Sequence, residues 1–263
     1  MRVERRGGEL RGAGVNLAEH IRNDEYLSER FSPKRGDLTY LHLADLRLAL
    51  EAVRTDREIH MLDYGCGGSP YRPLFPNAIY KRADYLQSGN GSLDYVLTND
   101  SRVGELDQTF DFVLSTQVLE HVSAPNVYLA ECFRLLKPGG TLYITTHGTY
   151  PDHACPYDFY RWTTDGLSRD LVAAGFTICR AEKLTTGPRA ALFHCDCQIA
   201  NLWTMRRTLL AREMSVFRRC YIRLRPWLHK TCDDYFPDNR VVRDHLDQHP
   251  LYIVAACLAS KRA

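Results

Sequence analysis

Between residues 58 and 185, short apolar stretches typical of β-strands alternate with segments whose apolar residues recur at helical spacing. The strand-like stretches are IHMLDYG, AIYKRADYL, LDYVLTND, FDFVLST, TLYITTH and TICRAEKLT, and the helix-like ones include APNVYLAECFRLL and TTDGLSRDLVAAGF. Strands that alternate with helices form a mainly parallel sheet with helices on both faces. The sequence therefore predicts an α/β, doubly wound fold.

Two further segments extend this pattern. Before it, LTYLHLADLRLALEAV has leucines at helical spacing and predicts an amphipathic helix. After it, about 60 residues separate TICRAEKLT from a last strand, LYIVAACLAS, which is far more than a strand connection needs. We therefore predict an N-terminal tail and helical cap over residues 1–56 and a main domain over 57–263, with a helical insertion at about 188–248 before the last strand.

Charge and composition exclude several classes of protein. The net charge of +2 is too small for a global nucleic-acid-binding surface. The arginine-containing N-terminus lacks the apolar region of a secretory signal, and no apolar run reaches the roughly 18 residues of a membrane-spanning helix. Nine cysteines without a regular framework predict reduced thiols and a cytoplasmic protein.

The stretch HMLDYGCGGSP places three glycines directly after the first predicted strand. Glycine allows a positive φ and lets a ligand approach the backbone closely. Asp63 lies at the end of this strand, and Asp84 lies at the end of the next, where a carboxylate can accept hydrogen bonds from ribose hydroxyls. The pattern predicts a nucleotide-type ligand at the carboxyl ends of the strands. An NAD fingerprint, G-x-G-x-x-G, would need a third spaced glycine, which the loop G-C-G-G-S-P-Y lacks.

The glycine loop resembles motif I of the class I S-adenosylmethionine-dependent methyltransferases, D-x-G-x-G-x-G, with Ser69 in place of the last glycine. FDFVLSTQVLEHV and ECFRLLKPGGTLYITT resemble later motifs of that family in the right order, so the resemblance covers roughly residues 58 to 185. GCGGSPYRPLF, PYDFYRWTTDGL and HPLYIVAACLAS further resemble a bacterial, methyltransferase type 11-like group linked to cell-surface saccharide or secondary-metabolite pathways.

This resemblance implies a Rossmann-like sheet of seven strands with the last strand antiparallel. It also implies S-adenosylmethionine as the cofactor and S-adenosylhomocysteine as the product. We expect the methionine end of the cofactor to contact Asp63, Gly65 and Gly67, and its methionine part to border Gln117 as well. We expect the ribose to contact Asp84, and the adenine to lie near Asp100 and Ser101.

Histidines near the predicted pocket are candidates for a general base, which helps when the methyl acceptor is a hydroxyl. His121 follows the fourth strand, and His153 lies in the loop HGTYPDHACPYDFYRWT after the fifth. A structural role for His121, fixing its loop, remains an alternative. We expect contacts with the acceptor in the same loop from Tyr157, Tyr160 and Arg161. The alternative there is an ion pair between Asp158 and Arg161, with the aromatic rings packed against the sheet.

We predict no metal site. The ubiquinone-pathway O-methyltransferases, which this chain resembles at VLEHV, carry E-x-x-E-H with metal-binding carboxylates, and Gln117 replaces the first acid here. The cluster HCDC at 194–197 lacks a second pair of ligands at the spacing of a zinc site.

The sequence thus predicts an enzyme that methylates a small-molecule or saccharide acceptor, with oxygen favoured over nitrogen. An N-methyltransferase, an inactive cofactor-binding partner protein, an NAD-linked dehydrogenase and a nucleic-acid methyltransferase remain alternatives; for the last, no Asn-Pro-Pro-Tyr-like stretch follows the fourth strand. A basic amphipathic segment at 202–230 is typical of a lid, a homodimer contact or a peripheral membrane contact.

Overall fold

The computed structural model describes residues 24–85, 93–97, 101–153, 157–201, 211–242 and 251–262. The α-helices are α1 Asp24–Phe31, α2 Tyr40–Glu51, α3 Pro125–Leu135, α4 Thr164–Ala173, α5 Gly187–Asn201 and α6 Ala211–Tyr235. The strands are β1 His60–Tyr64, β2 Ile79–Asp84, β3 Tyr95–Val96, β4 Phe110–Thr116, β5 Leu136–His147, β6 Thr177–Thr186, β7 Val241–Val242 and β8 Tyr252–Ser260.

The strands form a single sheet in the order β3-β2-β1-β4-β5-β8-β6-β7. β1 to β5 pair in parallel, and β8 pairs antiparallel with both β5 and β6. The predicted doubly wound fold with an antiparallel last strand is therefore confirmed. The predicted number of strands was wrong, because the sheet has eight rather than seven. The extra strand, β7, has two residues and pairs with Lys183 and Leu184 at the edge of the sheet, so it carries no periodic sequence signal.

Two local features of the chain are irregular. The Pro-Gly-Gly stretch does not separate helix and strand, because β5 already begins at Leu136, directly after α3. Leu136 pairs with Phe110 and Thr141 pairs with Phe112, so the residues between Leu136 and Thr141 form an irregularity within the ladder. After the glycine loop, three closely spaced prolines prevent a regular α-helix, and only a short 3₁₀ helix forms, Arg72–Leu74.

Helices cover both faces of the sheet. α3 and α4 pack on one face, and their buried apolar side chains include Tyr128, Leu129, Cys132, Leu167 and Leu171. α2 packs on the other face together with α5 and α6, and the buried apolar side chains there include Leu41, Leu46, Ala190, Phe193 and Cys232. The N-terminal cap and the insertion before β8 are thus helical, as predicted. The domain boundary at residue 57 stays a prediction.

Buried ion pairs connect the cap to the insertion. Arg189 on α5 donates to Asp45 on α2 at 2.8 Å and to Asp233 on α6 at 3.0 Å. Arg240 donates to the same carboxylate of Asp45 at 2.7 Å. Asp45 and Arg189 have no solvent exposure at all. This network fixes the position of α2, and therefore of the cap, against the sheet.

The outer face of α6 is exposed and carries large apolar side chains, among them Phe217, Leu224 and Trp227. Residues 202–210 of the predicted amphipathic segment lie outside the described residues. Contact of this segment with an anionic membrane or with a second copy of the chain stays a prediction. No helix in the described ranges combines the length and the apolar composition needed to span a membrane.

Candidate active site

The glycine loop follows β1 and rests on the end of β2. The backbone N–H groups of Gly65 and Cys66 both donate to the carbonyl of Ala83, at 2.8 and 3.1 Å. Gly65 and Gly67 have φ values of +77° and +50°, which favour glycine. A Cβ atom on Gly65 would lie only 2.4 Å from Cγ2 of Val118, so this glycine also allows the loop after β4 to pack directly on the glycine loop.

Two carboxylates lie at the carboxyl ends of β1 and β2, as the sequence predicted. Asp63 is 2% exposed and accepts a hydrogen bond from the Tyr80 hydroxyl at 2.5 Å. Burial raises the pKa of Asp63 to about 7. One oxygen of Asp84 accepts from the backbone N–H of Gly67 at 2.6 Å, and the other accepts from the N–H of Tyr85 at 2.7 Å. Asp84 therefore holds the glycine loop in place.

Three other residues expected near the cofactor have positive φ values although none is a glycine. They are Ser69 at +56°, Ser101 at +59° and Gln117 at +56°. Ser69 begins the turn that follows the glycine loop, since its carbonyl accepts from the N–H of Arg72 at 3.2 Å. The Ser101 side chain forms a hydrogen bond of 2.9 Å with the Tyr85 hydroxyl. Backbone strain at such positions is often found in functional sites.

Gln117 joins the ends of β4 and β5. Its backbone N–H donates to the carbonyl of Thr145, and its amide nitrogen donates to the Thr145 hydroxyl, both at 3.0 Å. The amide oxygen is buried without a hydrogen-bond partner, which leaves an acceptor available for a ligand. Asp100, the other residue expected near the adenine, lies outside the described residues.

These residues fit S-adenosylmethionine. Asp63 and Asp84 supply carboxylate acceptors on adjacent strands, the glycines of the loop between them are partly exposed, and Gln117 supplies an acceptor without a hydrogen-bond partner. A positively charged ligand beside Asp63 would favour its ionised form and lower the pKa that burial has raised. These hydrogen-bond acceptors suit a cationic ligand that carries ribose hydroxyls.

A row of aromatic rings lies beyond the glycine loop, at the ends of β4 and β5. We call His42, His121, His147 and His153 the histidine cluster. The His153 ring centre lies 4.8 Å from that of His121 and 4.7 Å from that of His147. His147 stacks on Tyr150 at 3.8 Å, and Tyr150 lies 5.4 Å from His42 on α2. The fold thus brings together both histidines predicted as catalytic and adds two more.

Burial keeps the histidine cluster neutral. It lowers the pKa of His42 to about 3 and that of His153 to about 4. It also lowers the pKa of His121 and, more strongly, that of His147. Neutral imidazoles can accept a proton at neutral pH, whereas protonated ones cannot.

The hydrogen bond of His121 defines its tautomer. Nδ1 lies 2.6 Å from the carbonyl oxygen of Tyr157, which can only accept, so Nδ1 carries the proton. Nε2 of the neutral ring is then an unprotonated acceptor. His121 therefore has the form that a general base requires, and the contact with Tyr157 would also stabilise its protonated form.

Glu120 is a member of the site that the sequence analysis did not select. Its side chain is completely buried, accepts a hydrogen bond from Thr146 at 2.8 Å and lies 3.3 Å from Nδ1 of His147. Burial raises the pKa of Glu120 to about 7. The available signal was the glutamate before His121 in VLEHV, close after the end of β4, because a glutamate is almost never fully buried unless it is paired.

The residues expected to contact the acceptor occupy the loop after β5. Arg161 forms a bidentate ion pair with Asp158, with distances of 2.5 and 2.6 Å, and also donates to the carbonyl of Tyr150 at 3.1 Å. The ion pair considered as the alternative at the sequence level is therefore present, and Arg161 organises the loop. Tyr157 and Tyr160 are 64% and 42% exposed. Contact of these three residues with an acceptor stays a prediction.

Within the described ranges, no group of three or more histidine, cysteine or acidic side chains has a geometry that could hold a metal ion. The two cysteines of HCDC lie on α5 as free thiols, with Cys195 exposed and Cys197 partly exposed. His194 instead contacts the Thr149 hydroxyl at 3.4 Å.

Comparisons with known proteins find similarity in the central part of the chain. Residues 62–144 match a family model described as a methyltransferase domain. The ubiquinone biosynthesis O-methyltransferase of Parvibaculum lavamentivorans is 31% identical over 133 residues, which are 44% of this chain and 52% of that protein. The mitochondrial enzyme of the same name from Mus musculus is 28% identical over 159 residues, 49% of this chain and 43% of that protein.

The match thus spans about half the length of these curated relatives. Among solved structures, an S-adenosylmethionine-dependent methyltransferase from Mesorhizobium loti superposes with a TM-score of 0.51 and 15% identity, over 84% of this chain and all of that one. At this identity the likeness shows the fold alone. The resemblance predicted from the motifs is confirmed over the matched residues, and the match supports S-adenosylmethionine as the cofactor.

Proposed function

We propose that this chain, whose residues 62–144 form a methyltransferase domain, transfers a methyl group from S-adenosylmethionine to a hydroxyl of a small-molecule or saccharide acceptor. One observation carries the proposal. The loop that bears His121 packs through Val118 on Gly65 of the glycine loop, so a neutral histidine with an unprotonated Nε2 lies beside the predicted cofactor site. The printed names of the curated relatives, O-methyltransferases, support the choice of oxygen.

The residues of the site have separate roles in the proposed methyl transfer. S-adenosylmethionine, when bound, supplies a methyl group on a positively charged sulfur, which is electrophilic without further activation. Asp63, Asp84 and Gln117 would hold the cofactor. Nε2 of His121 would take the proton that the acceptor hydroxyl loses, and the Tyr157 carbonyl would stabilise the resulting imidazolium. The buried rings of the cap, such as His42, exclude water from the site.

The test of the proposal is the formation of S-adenosylhomocysteine from S-adenosylmethionine in the presence of pooled hydroxylated acceptors, monosaccharides and hydroxybenzoates among them. Matched amines in which nitrogen replaces the hydroxyl oxygen form the second pool. Turnover with hydroxyl acceptors alone supports the proposal. Turnover with amines alone contradicts it.

Replacing His121 with asparagine should lower kcat by about 100-fold with an active hydroxyl acceptor, because a general base contributes at least that factor. Burial lowers the pKa of His121 below 6.5, so the wild-type rate should stay constant above that pH and fall only at more acidic pH. The pH profile of the variant should lack this fall in rate at acidic pH. Steady-state kinetics against pH measure both effects.

The matched control is His60→Asn, which changes an exposed histidine at the opposite end of β1. It should leave kcat and the pH profile unchanged. His153→Asn tests the second candidate for the base. Full activity in both the His121 and His153 variants would remove the basis for choosing oxygen.

We also propose a cytoplasmic location, as the cysteine content predicted. All eight cysteines in the described ranges are free thiols. Cys66, Cys132, Cys232 and Cys257 are buried and act as small apolar residues in the core. A reducing compartment suits such a set.

A further inference from the structure

The outer side of α6 carries apolar side chains that are aligned along the helix. We call Phe217, Cys220, Leu224 and Trp227 the apolar stripe. These residues recur at intervals of three and four, so they lie on one side of the helix. All four are exposed, and the exposed fractions of the three large side chains lie between 46% and 59%. A single exposed apolar residue is ordinary on a protein surface, whereas an aligned set of them marks an interaction surface.

The opposite side of α6 packs against the protein and is held there by polar contacts. His229 on α6 forms a hydrogen bond of 2.8 Å with Asp196 on α5. Asp233 on α6 accepts from Arg189 at 3.0 Å. His229, Asp196 and Arg189 have no solvent exposure. These contacts fix the rotation of the helix about its axis, so the apolar stripe is presented to solvent in a defined orientation.

Basic residues run along the helix beside the apolar stripe. Arg219, Arg223 and Lys230 are exposed, and intervals of four and seven residues place them on one side of α6. This side is adjacent to the apolar stripe, because each of these residues lies within four positions of a member of the stripe. Lys230 pairs with Asp234 one turn further on.

The loop between α1 and α2 adds two more exposed basic residues, Lys34 and Arg35, to this flank. Its Gly36 rests on α6: the N–H donates to Nδ1 of His229 at 3.1 Å, and a Cβ atom on Gly36 would lie 3.0 Å from Cγ of Pro226. Arg35 also contacts Asp233 at 2.7 Å. We call the five basic residues of this flank the basic row; they are Lys34, Arg35, Arg219, Arg223 and Lys230.

We propose that the apolar stripe and the basic row form a surface that docks on an anionic lipid bilayer, with α6 lying in the plane of the membrane. Apolar side chains on such a helix enter the boundary between headgroups and acyl chains, and arginine and lysine reach the lipid phosphates. Tryptophan is favoured at this boundary, and Trp227 is the most exposed member of the stripe. The inference goes beyond the proposed function, because it concerns the outer side of the insertion.

Charge favours a bilayer over a second copy of the chain. A symmetric dimer through this surface would bring the same basic row from each copy to the interface. The carboxylates that accompany the row, Asp233 and Asp234, already pair with Arg35 and Lys230. Like charges brought together at an interface are unfavourable, whereas anionic headgroups offer the opposite charge.

The test is co-sedimentation of the full chain with vesicles of phosphatidylcholine alone and of phosphatidylcholine mixed with phosphatidylglycerol. The wild type should bind the mixed vesicles at least about tenfold more tightly than the neutral ones, because each basic residue near an anionic surface contributes about fivefold in affinity. Raising the salt concentration should weaken binding to the mixed vesicles, since salt screens exposed charges.

Two double variants separate the two parts of the surface. Arg223→Ala with Lys230→Ala should weaken binding to the mixed vesicles by about 25-fold, from two contributions of about fivefold each. Leu224→Gln with Trp227→Gln should weaken it by about tenfold or more and keep the salt dependence, because only apolar burial is lost. All four side chains are exposed, so both variants should fold, and circular dichroism checks that they do.

The matched control is Arg169→Ala with Val172→Gln, which changes an exposed basic and an exposed apolar residue on α4, on the other face of the sheet. It should bind like the wild type. No binding of the wild type to the mixed vesicles overturns the proposal, and so does equal binding of the wild type and both α6 variants. Sedimentation velocity without vesicles tests the other occupant. A wild-type dimer that Leu224→Gln with Trp227→Gln makes monomeric would assign the stripe to a second copy and overturn the proposal.

Discussion

Replacing Gly65 with alanine should lower the free energy of unfolding by about 3 kcal/mol and abolish binding of S-adenosylhomocysteine. Two physical causes add. The new Cβ would lie 2.4 and 2.7 Å from the two terminal carbons of Val118, and the backbone φ of +77° is unfavourable for alanine. Relief of the clash would separate the glycine loop from the loop that bears His121. Urea denaturation and isothermal titration measure the two effects.

The control is Gly104→Ala, because no atom lies within 4 Å of the Cβ position at Gly104. It should change stability and binding little. The double variant Gly65→Ala with Val118→Ala should recover the steric part of the lost stability and keep the part due to φ. Wild-type stability and binding in Gly65→Ala alone would show that the two loops are not packed as described.

Replacing Arg189 with alanine should destabilise the protein by about 3 to 5 kcal/mol, the range for removing one partner of a buried ion pair. The variant would leave the carboxylates of Asp45 and Asp233 without their shared cation. Because this network joins α2 to the insertion, the cap should loosen as well. Denaturation gives the stability, and faster amide hydrogen exchange in α2 than in β4 would report the cap.

Arg169→Ala is the matched control, since the Arg169 side chain is 80% exposed and its ion pair among the described residues is with its neighbour Asp170, at 2.9 Å. Exposed pairs contribute at most about 1 kcal/mol. Equal stability losses in the Arg169 and Arg189 variants would contradict the role of the buried network.

The sheet and the glycine loop were predictable because their signals are local. Apolar runs alternate with helical periods, and the positions of Asp63 and Asp84 follow from the strand ends on which they lie. The N-cap of α4 is equally local, because the Thr163 side chain accepts from the N–H of Gly166 at 3.0 Å, three residues further on. β7 was not predictable, because two valines carry no period of their own.

The histidine cluster was only partly predictable, since it depends on contacts between distant segments. His42 and His147 are 105 positions apart, yet their ring centres lie 6.1 Å apart because α2 packs on the face of the sheet. Arg161 shows a second limit of prediction from sequence, in a contact between near neighbours. Its position in a polar loop allowed either a ligand contact or an ion pair with Asp158, and the ion pair is present. Sequence alone does not show which of two nearby partners a charged group will choose.

The most direct test of the account is isothermal titration of the protein with S-adenosylhomocysteine and with S-adenosylmethionine, in the wild type, in Asp84→Ala and in the control Asp111→Ala. Asp111 is a carboxylate at the opposite end of the sheet, where it accepts from the N–H of His60 at 2.9 Å. Asp84 accepts a hydrogen bond from the backbone N–H of Gly67 and is the predicted acceptor for the ribose hydroxyls. Its replacement removes both kinds of charge-assisted hydrogen bond, and we expect binding of the cofactor to be about 100-fold weaker. Asp111→Ala should bind like the wild type. Absence of binding to the folded wild type, or undiminished binding to Asp84→Ala, would contradict the account.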